Sequence, residues 1–236
     1  MRTKGFSLIE LLMVLAVLSI ITGAIFQVIN MSTERSSTEQ IKLDMFQEAR
    51  EFMDQMSRDL RQAGYPSPRN VSASVLVQSP AKNDRHAAVG LVKVDTGDLW
   101  FEGDVNGNGT VSVVRYHLDN VGTNCPCLKR SQLDKIDADP LTSQTTEVYQ
   151  VEVQGVQNTN IFTAYSDGVP VNPLPVTISS ASGATIASID TVQATLTLQA
   201  ATIDPKTHKK PVTALVTTVK LNNCSQGATG GLQSCQ

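Results

Sequence analysis

The chain opens MRTKGFSLIELLMVLAVLSIITGAIFQVIN (residues 1–30), and Glu10 stands inside a run that otherwise suits lipid. Two basic residues, Arg2 and Lys4, precede the run. From Leu11 to Ile29 only Ser19, Thr22, Gly23 and Gln27 break its apolar character. As a helix this length spans roughly 30 Å of hydrocarbon. A secretory leader would end in a small-residue cleavage site after the apolar stretch, whereas this chain runs straight on into charged, helix-favouring residues. A plain anchor explains the length but not Glu10. A carboxylate within a spanning helix costs about 2.5 kcal/mol or more, so it marks a partner or a function.

Residues Lys4-Gly5-Phe6-Ser7-Leu8-Ile9-Glu10-Leu11 resemble the type III signal of type IV prepilins and pseudopilins. The likeness lies in a short basic leader ending in Gly, then Phe, a Glu four residues on, and an unbroken apolar run. It implies that residues 1–5 are a leader cut after Gly5 by a prepilin peptidase on the cytoplasmic face. Phe6 becomes the N-methylated first residue, and Glu10 the fifth of the mature chain. The new α-amine on Phe6 and a Glu10 carboxylate on a neighbouring subunit are each costly in low dielectric, and far less so as a pair. Glu10 is thus expected to set docking register during assembly. The positive-inside tendency places the N-terminus in the cytoplasm and everything after about Asn30 outside. The expected location is the inner membrane, single-pass with a periplasmic head, and then the pilus at the cell surface.

Beyond the span, Ile41, Met45, Ala49, Phe52 or Met53, Met56, Leu60 and Ala63 fall three and four residues apart, one stripe of a helix. Glu48, Glu51, Asp54, Arg58 and Arg61 occupy the other face, with Arg50/Asp54 and Asp54/Arg58 spaced to pair. Gly64 suits the residue after the last turn and Pro66 forbids continuation. Ser32–Thr38 is the weakest part of the pattern, so a break or frayed turn is expected there. A nearly continuous helix from Phe6 to Ala63 would be roughly 85 Å long. It divides into residues 6–29, membrane or filament core, and residues 30–64, an amphipathic continuation. Residues Asp59-Leu60-Arg61-Gln62-Ala63-Gly64-Tyr65 are similar to the end of this helix in PilW-type minor pilins.

From residue 65 to 236 the period changes to two. Strands are expected at 71–77, 88–94, 111–118, 148–153, 194–199 and 212–221, with Gly, Pro, Asn and Asp clusters between them. The fold class is therefore α+β: a pilin-like long N-terminal helix packed on an antiparallel β-sheet head. The last two strands form a hairpin with a solvated tip, Asp204-Pro-Lys-Thr-His-Lys-Lys210. The succession, with its closing Thr217-Thr-Val-Lys-Leu-Asn-Asn223, again resembles a PilW-type head.

Asp104-Val-Asn-Gly-Asn-Gly109 copies the first half of a calcium loop, with Asp104, Asn106 and Asn108 at positions one, three and five. Arg115 stands where the bidentate Glu belongs, so the loop is not an EF-hand. Helped by Glu102, Asp119 or a carbonyl, the half-loop would hold calcium weakly, on the order of 10⁻⁴ to 10⁻³ M. The same Asn-Gly repeat also suits a tight hairpin. Four cysteines, Cys125, Cys127, Cys224 and Cys235, read as disulfide candidates on the exported side. A Cys224–Cys235 bridge would close a loop worth about 3 kcal/mol. Cys125 and Cys127 are expected not to bond each other, because the short ring strains the geometry. One then pairs elsewhere, or both cross to the C-terminal pair; zinc is a lesser alternative.

His86, His117 and His208 sit in unrelated contexts, and no catalytic triad spacing, phosphate loop or dinucleotide fingerprint is present. The chain is expected to be no enzyme. Its net charge of −3, with no basic patch beyond the Lys-rich turn that holds His208, gives no nucleic-acid footprint. The resemblance implies a minor type IV pilin that initiates, primes or caps a pilus. Its partners would be other minor pilins, the major pilin, the prepilin peptidase, an inner-membrane assembly platform and, before assembly, lipid. A minor pseudopilin of a type II secretion system shares the signal, and a pilus-borne adhesin head is the alternative of another class.

Overall fold

A computed structural model describes residues 7–67, 71–122, 125–144, 146–179 and 181–222. The N-terminal run forms one helix, α1 (Leu8–Gln62). No break occurs at Ser32–Thr38, contrary to expectation. Thr33 sends its hydroxyl to the Ile29 carbonyl one turn back at 2.9 Å, and the Thr38 hydroxyl oxygen lies 3.0 Å from the Glu34 carbonyl. Those contacts satisfy the polar side chains within the helix, so the ladder continues past them. Beyond Gln62 the chain turns at Gly64, whose φ of 80° is the left-handed cap that glycine adopts without steric cost.

The chain divides into two compact units: Met1–Asp44 with Ala200–Pro211, and Met45–Gln199 with Val212–Gln236. In the first unit, the apolar part of α1 is long and apolar enough to cross a membrane, and none of it is buried. The loop Ala200–Pro211 closes on itself through Ala200 N–H to the Pro211 carbonyl at 2.9 Å and Asp204 N–H to the Lys209 carbonyl at 3.0 Å. Thr38 of α1 donates its hydroxyl to Asp204 Oδ1 at 2.6 Å.

The second unit holds the rest of α1 and two antiparallel sheets, α1 packing on the larger. The larger contains β1 (Leu91–Val94), β2 (Asp98–Gly103), β3 (Ser112–Asp119), β4 (Cys127–Asp134), β5 (Tyr149–Gln154) and β8 (Val176–Thr177) in the order β5-β4-β3-β2-β1-β8. The smaller sets β6 (Phe162–Ser166), β7 (Val169–Pro170), β9 (Thr191–Gln199) and β10 (Val212–Lys220) in the order β10-β9-β6-β7. A short helix, α2 (Gly183–Ala187), precedes β9. The β9–β10 hairpin pairs in unbroken register from Val212↔Gln199 to Lys220↔Thr191, as its alternation of Thr with Val and Leu requires.

Both faces of the larger sheet are covered. Successive residues Val113 and Val114 of β3 are both buried, one on each side. On one face Val89, Val92, Trp100, Val113 and Ile178 cluster. On the other, Phe52 of α1 meets Tyr116 edge-on at 5.5 Å, and Phe101 stacks against Tyr116 at 6.3 Å.

Residues 71–77 are not a strand. The Val75 amide turns back to the Ser72 carbonyl at 2.9 Å, and the Val77 and Gln78 amides both go to the Asp84 carboxylate. Those amides are taken by a local turn and by a side chain instead of by a neighbouring strand. The strand expected at 88–94 starts only at Leu91. Ahead of it, Ala88 N–H goes to the Pro66 carbonyl and Val89 N–H to the Glu102 carboxylate.

Candidate functional site

Gly5 and Phe6, the expected processing residues, lie outside the described residues. Glu10 occupies the first turn of α1, its amide donating to the Ser7 carbonyl at 3.0 Å. Its side chain stands exposed amid Leu8, Ile9, Leu11, Leu12 and Met13, all of which are exposed too. A lone carboxylate on such a surface enters lipid or a helix bundle favourably only with a cationic partner.

Farther along, the same helix turns from exposed to seated. Met45, Ala49, Phe52, Met53, Met56, Leu60 and Ala63 are buried, the stripe read from the sequence except for Ile41, which is half-buried. On the helix's outer side Arg50 and Asp54 pair at 4.0 Å, an exposed contact worth little. Asp59 adds a buried polar clasp. Its Oδ2 accepts the Tyr116 hydroxyl at 2.7 Å and Arg130 Nε at 2.9 Å. Burial, then the Asp59 charge, pushes the Tyr116 phenol well up. The Arg130 guanidinium loses solvation, yet Tyr116 and Asp59 hold it firmly charged. The clasp joins α1 to β3 and β4, and its members are too far apart in sequence to be read together.

A second clasp lies where the helix hands over to β2. Gly64 N–H donates to the Glu102 carbonyl and Asp104 N–H to the Tyr65 carbonyl, each at 2.8 Å. Ala63 bridges Gly103, and a Cβ on Gly103 would run into the Gln62 carbonyl. Glycine is required there by close approach of two backbones. The Glu102 side chain is fully buried and pairs with buried Lys135 at 2.7 Å. Lys135 Nζ also reaches the carbonyls of Ala87 at 2.7 Å and Lys82 at 2.9 Å. Burial raises the Glu102 carboxyl above its usual range despite Lys135. Glu102, weighed from the sequence as a helper for calcium, is instead taken up by this pair.

The Asp104–Gly109 loop is a self-satisfied turn. Asp104 Oδ1 accepts the Asn108 amide at 3.1 Å, Oδ2 accepts the Gly109 amide at 2.8 Å, and Asn108 Oδ1 accepts the Thr110 amide at 2.8 Å. Gly107 and Gly109 have φ of 64° and 82°. Asn106 lines a polar groove of about 520 Å³ with Arg130, Gln132 and Gln150. Asp119, the other helper, pairs instead with Lys129, which draws its carboxyl down.

Cys125 and Cys127 are bonded to each other, contrary to expectation. An extended pair two residues apart would be roughly 6.6 Å across. Here the chain bends at Pro126, and the Cα atoms lie 4.4 Å apart, within disulfide reach. Cys224 and Cys235 lie outside the described residues. The histidines do not meet: His86 Nδ1 is 2.8 Å from Asp84, His117 is 3.6 Å from Asp98, and His208 lies in the hairpin loop. Among the described residues no three His, Cys, Asp or Glu side chains are placed to hold a metal ion.

One charged network was invisible in the sequence. Asp98 binds Arg115 at 2.7 Å and Lys93 at 2.8 Å, and Arg115 reaches Glu147 at 3.1 Å while lying over the Trp100 ring. Burial opposes the Asp98 charge, but His117, Arg115 and Lys93 hold the carboxyl far below its usual range.

Residues 1–26 match the family described as the prokaryotic N-terminal methylation motif. The matched stretch covers the first part of α1 and the residues ahead of it, and it supports a type IV prepilin-like chain, a class of structural subunits rather than enzymes. Neither the curated proteins nor the solved structures contain a match to the chain.

Proposed function

We propose that this chain is a minor, PilW-type pilin. It is made in the inner membrane, trimmed after Gly5 by a prepilin peptidase and methylated on Phe6. It then enters a filament beside the major pilin and other minor pilins to prime or cap it. The observation that carries this reading is the methylation motif at residues 1–26 running into a single helix, Leu8–Gln62. The helix's first part is bare and its last third is clasped to a β-rich head. A chain so built offers one end to neighbours in a helix bundle and displays the other. Glu10 supplies the register by meeting the Phe6 amine of an adjacent subunit.

Intact-mass measurement of the chain made with and without a prepilin peptidase tests the reading. Loss of Met1 to Gly5 with gain of one methyl group supports it, and a retained leader overturns it. Glu10→Ala is expected to leave cleavage intact and to abolish incorporation into filaments.

A further inference from the structure

We propose that the Ala200–Pro211 loop is a binding site for anionic phospholipid headgroups, held beside the point where α1 leaves the membrane. The inference rests on the membrane-spanning reading of α1 given above. Three lysines, Lys206, Lys209 and Lys210, are exposed on this loop of twelve residues, Ala200–Pro211. Its one carboxylate, Asp204, is buried and already engaged. It accepts the Thr38 hydroxyl, the Lys206 amide and the Thr207 hydroxyl at 2.6, 2.9 and 2.6 Å. None of the three lysines has an ion-pair partner among the described residues. Acidic side chains do stand near Thr38 on α1, yet Glu39 pairs with Lys42 at 3.7 Å rather than with the loop. The loop therefore presents positive charge that the protein itself leaves uncompensated.

Position selects the partner. Thr38, which tethers the loop, stands nine residues beyond Ile29, the end of the apolar run. Nine residues of helix rise ~13 Å, of which the headgroup layer covers roughly 6 Å. The remaining distance is within a Debye length of about 8 Å and within the span of an extended lysine. Lysines that close to an anionic surface are each attracted to it measurably, and the attraction fades with salt. The Thr38–Asp204 bond keeps the loop from swinging away, so little ordering entropy opposes the contact.

The test uses the full chain in nanodiscs of phosphatidylcholine alone, or with one third phosphatidylglycerol, and follows hydrogen exchange of the loop amides. Exchange is expected to slow roughly tenfold or more in the anionic discs and to return to the neutral-disc rate at high salt. Replacing Lys206→Gln, Lys209→Gln and Lys210→Gln together should remove the difference between discs. Thr38→Val, which keeps the charges but cuts the tether, should reduce it. Equal exchange in both discs by a chain that inserts normally overturns the lipid contact alone. Failure to enter either disc overturns the membrane reading and this inference together. A slowing seen only on assembly into filaments assigns the lysines to a neighbouring subunit instead and overturns the proposal.

Discussion

Lys135→Met is the sharpest test of how the head holds the end of α1. The side chains of Lys135 and Glu102 are 1% and 0% exposed, so water cannot replace the missing ammonium. Glu102 would keep only the Val89 amide at 3.1 Å, and the Ala87 and Lys82 carbonyls would lose a donor. Breaking one side of a buried pair costs about 3–5 kcal/mol. An independent route to the magnitude is the escape open to Glu102, which is to take a proton. From its ordinary value of 4.5, neutralising it at pH 7 costs at most ~3.4 kcal/mol. The unmet carbonyls add about 1 kcal/mol each. The escape grows cheaper in acid, so the deficit should shrink between pH 7 and pH 5.5, by at most ~2 kcal/mol because the raised Glu102 carboxyl of the unaltered chain also gains in acid. Adding Glu102→Gln should restore much of the loss at pH 7. Chemical denaturation of the full chain in detergent reads this directly. Its only tryptophan, Trp100, lies two residues from Glu102 and is 5% exposed. A deficit that ignores pH, or a double variant no steadier than Lys135→Met, would refute the reasoning.

Gly103→Ala should lower the melting temperature by several degrees, because its Cβ meets the Gln62 carbonyl group, which cannot move without unseating α1. Tyr116→Phe removes the hydroxyl from Asp59 and should cost about 1–3 kcal/mol in the same denaturation experiment. Acid should weaken the head in a defined window. Burial works against the Asp84 charge, but the His86, Gln78 and Val77 amides and the His86 ring bring the carboxyl from 3.8 down to about 2. A folded value below the unfolded one contributes stability above 3.8 that is lost as pH falls through about 2. Asp84→Asn should flatten that part of a melting curve measured against pH. Calcium at about 1 mM should leave melting unchanged, since both Asp104 oxygens already hold backbone amides. A rise that Asp104→Ala removes would show a cation entering the loop.

What could be read along the chain was periodicity. The helix stripe from Met45 to Ala63 and the β9–β10 hairpin are both regular repeats of apolar residues, so their spacing alone exposed them. Strand β2 escaped because all six of its residues are buried, Asp98 and Glu102 among them, so no alternation marks it. Strand β4 escaped because Lys129 and Arg130 interrupt its pattern, their charges being met by Asp119 and Asp59 from elsewhere. Residues 71–77 misled in the opposite way: valines stand at strand spacing, but the Val75 amide turns back to Ser72 and that of Val77 goes to Asp84. Charges buried in partnership are a property of the folded arrangement. The sequence shows the members and not the meeting.

The helix itself carries the strongest functional argument, through a contrast that no single-environment protein sustains. From Leu8 to Met31 large apolar side chains are exposed on every side, whereas from Met45 onward the apolar stripe is buried and of the large apolar side chains only Phe46 stays exposed. A soluble monomer rarely shows an apolar patch of more than a few hundred Å², so the first stretch needs lipid or other helices around it. The second stretch needs neither, because the head already supplies its cover.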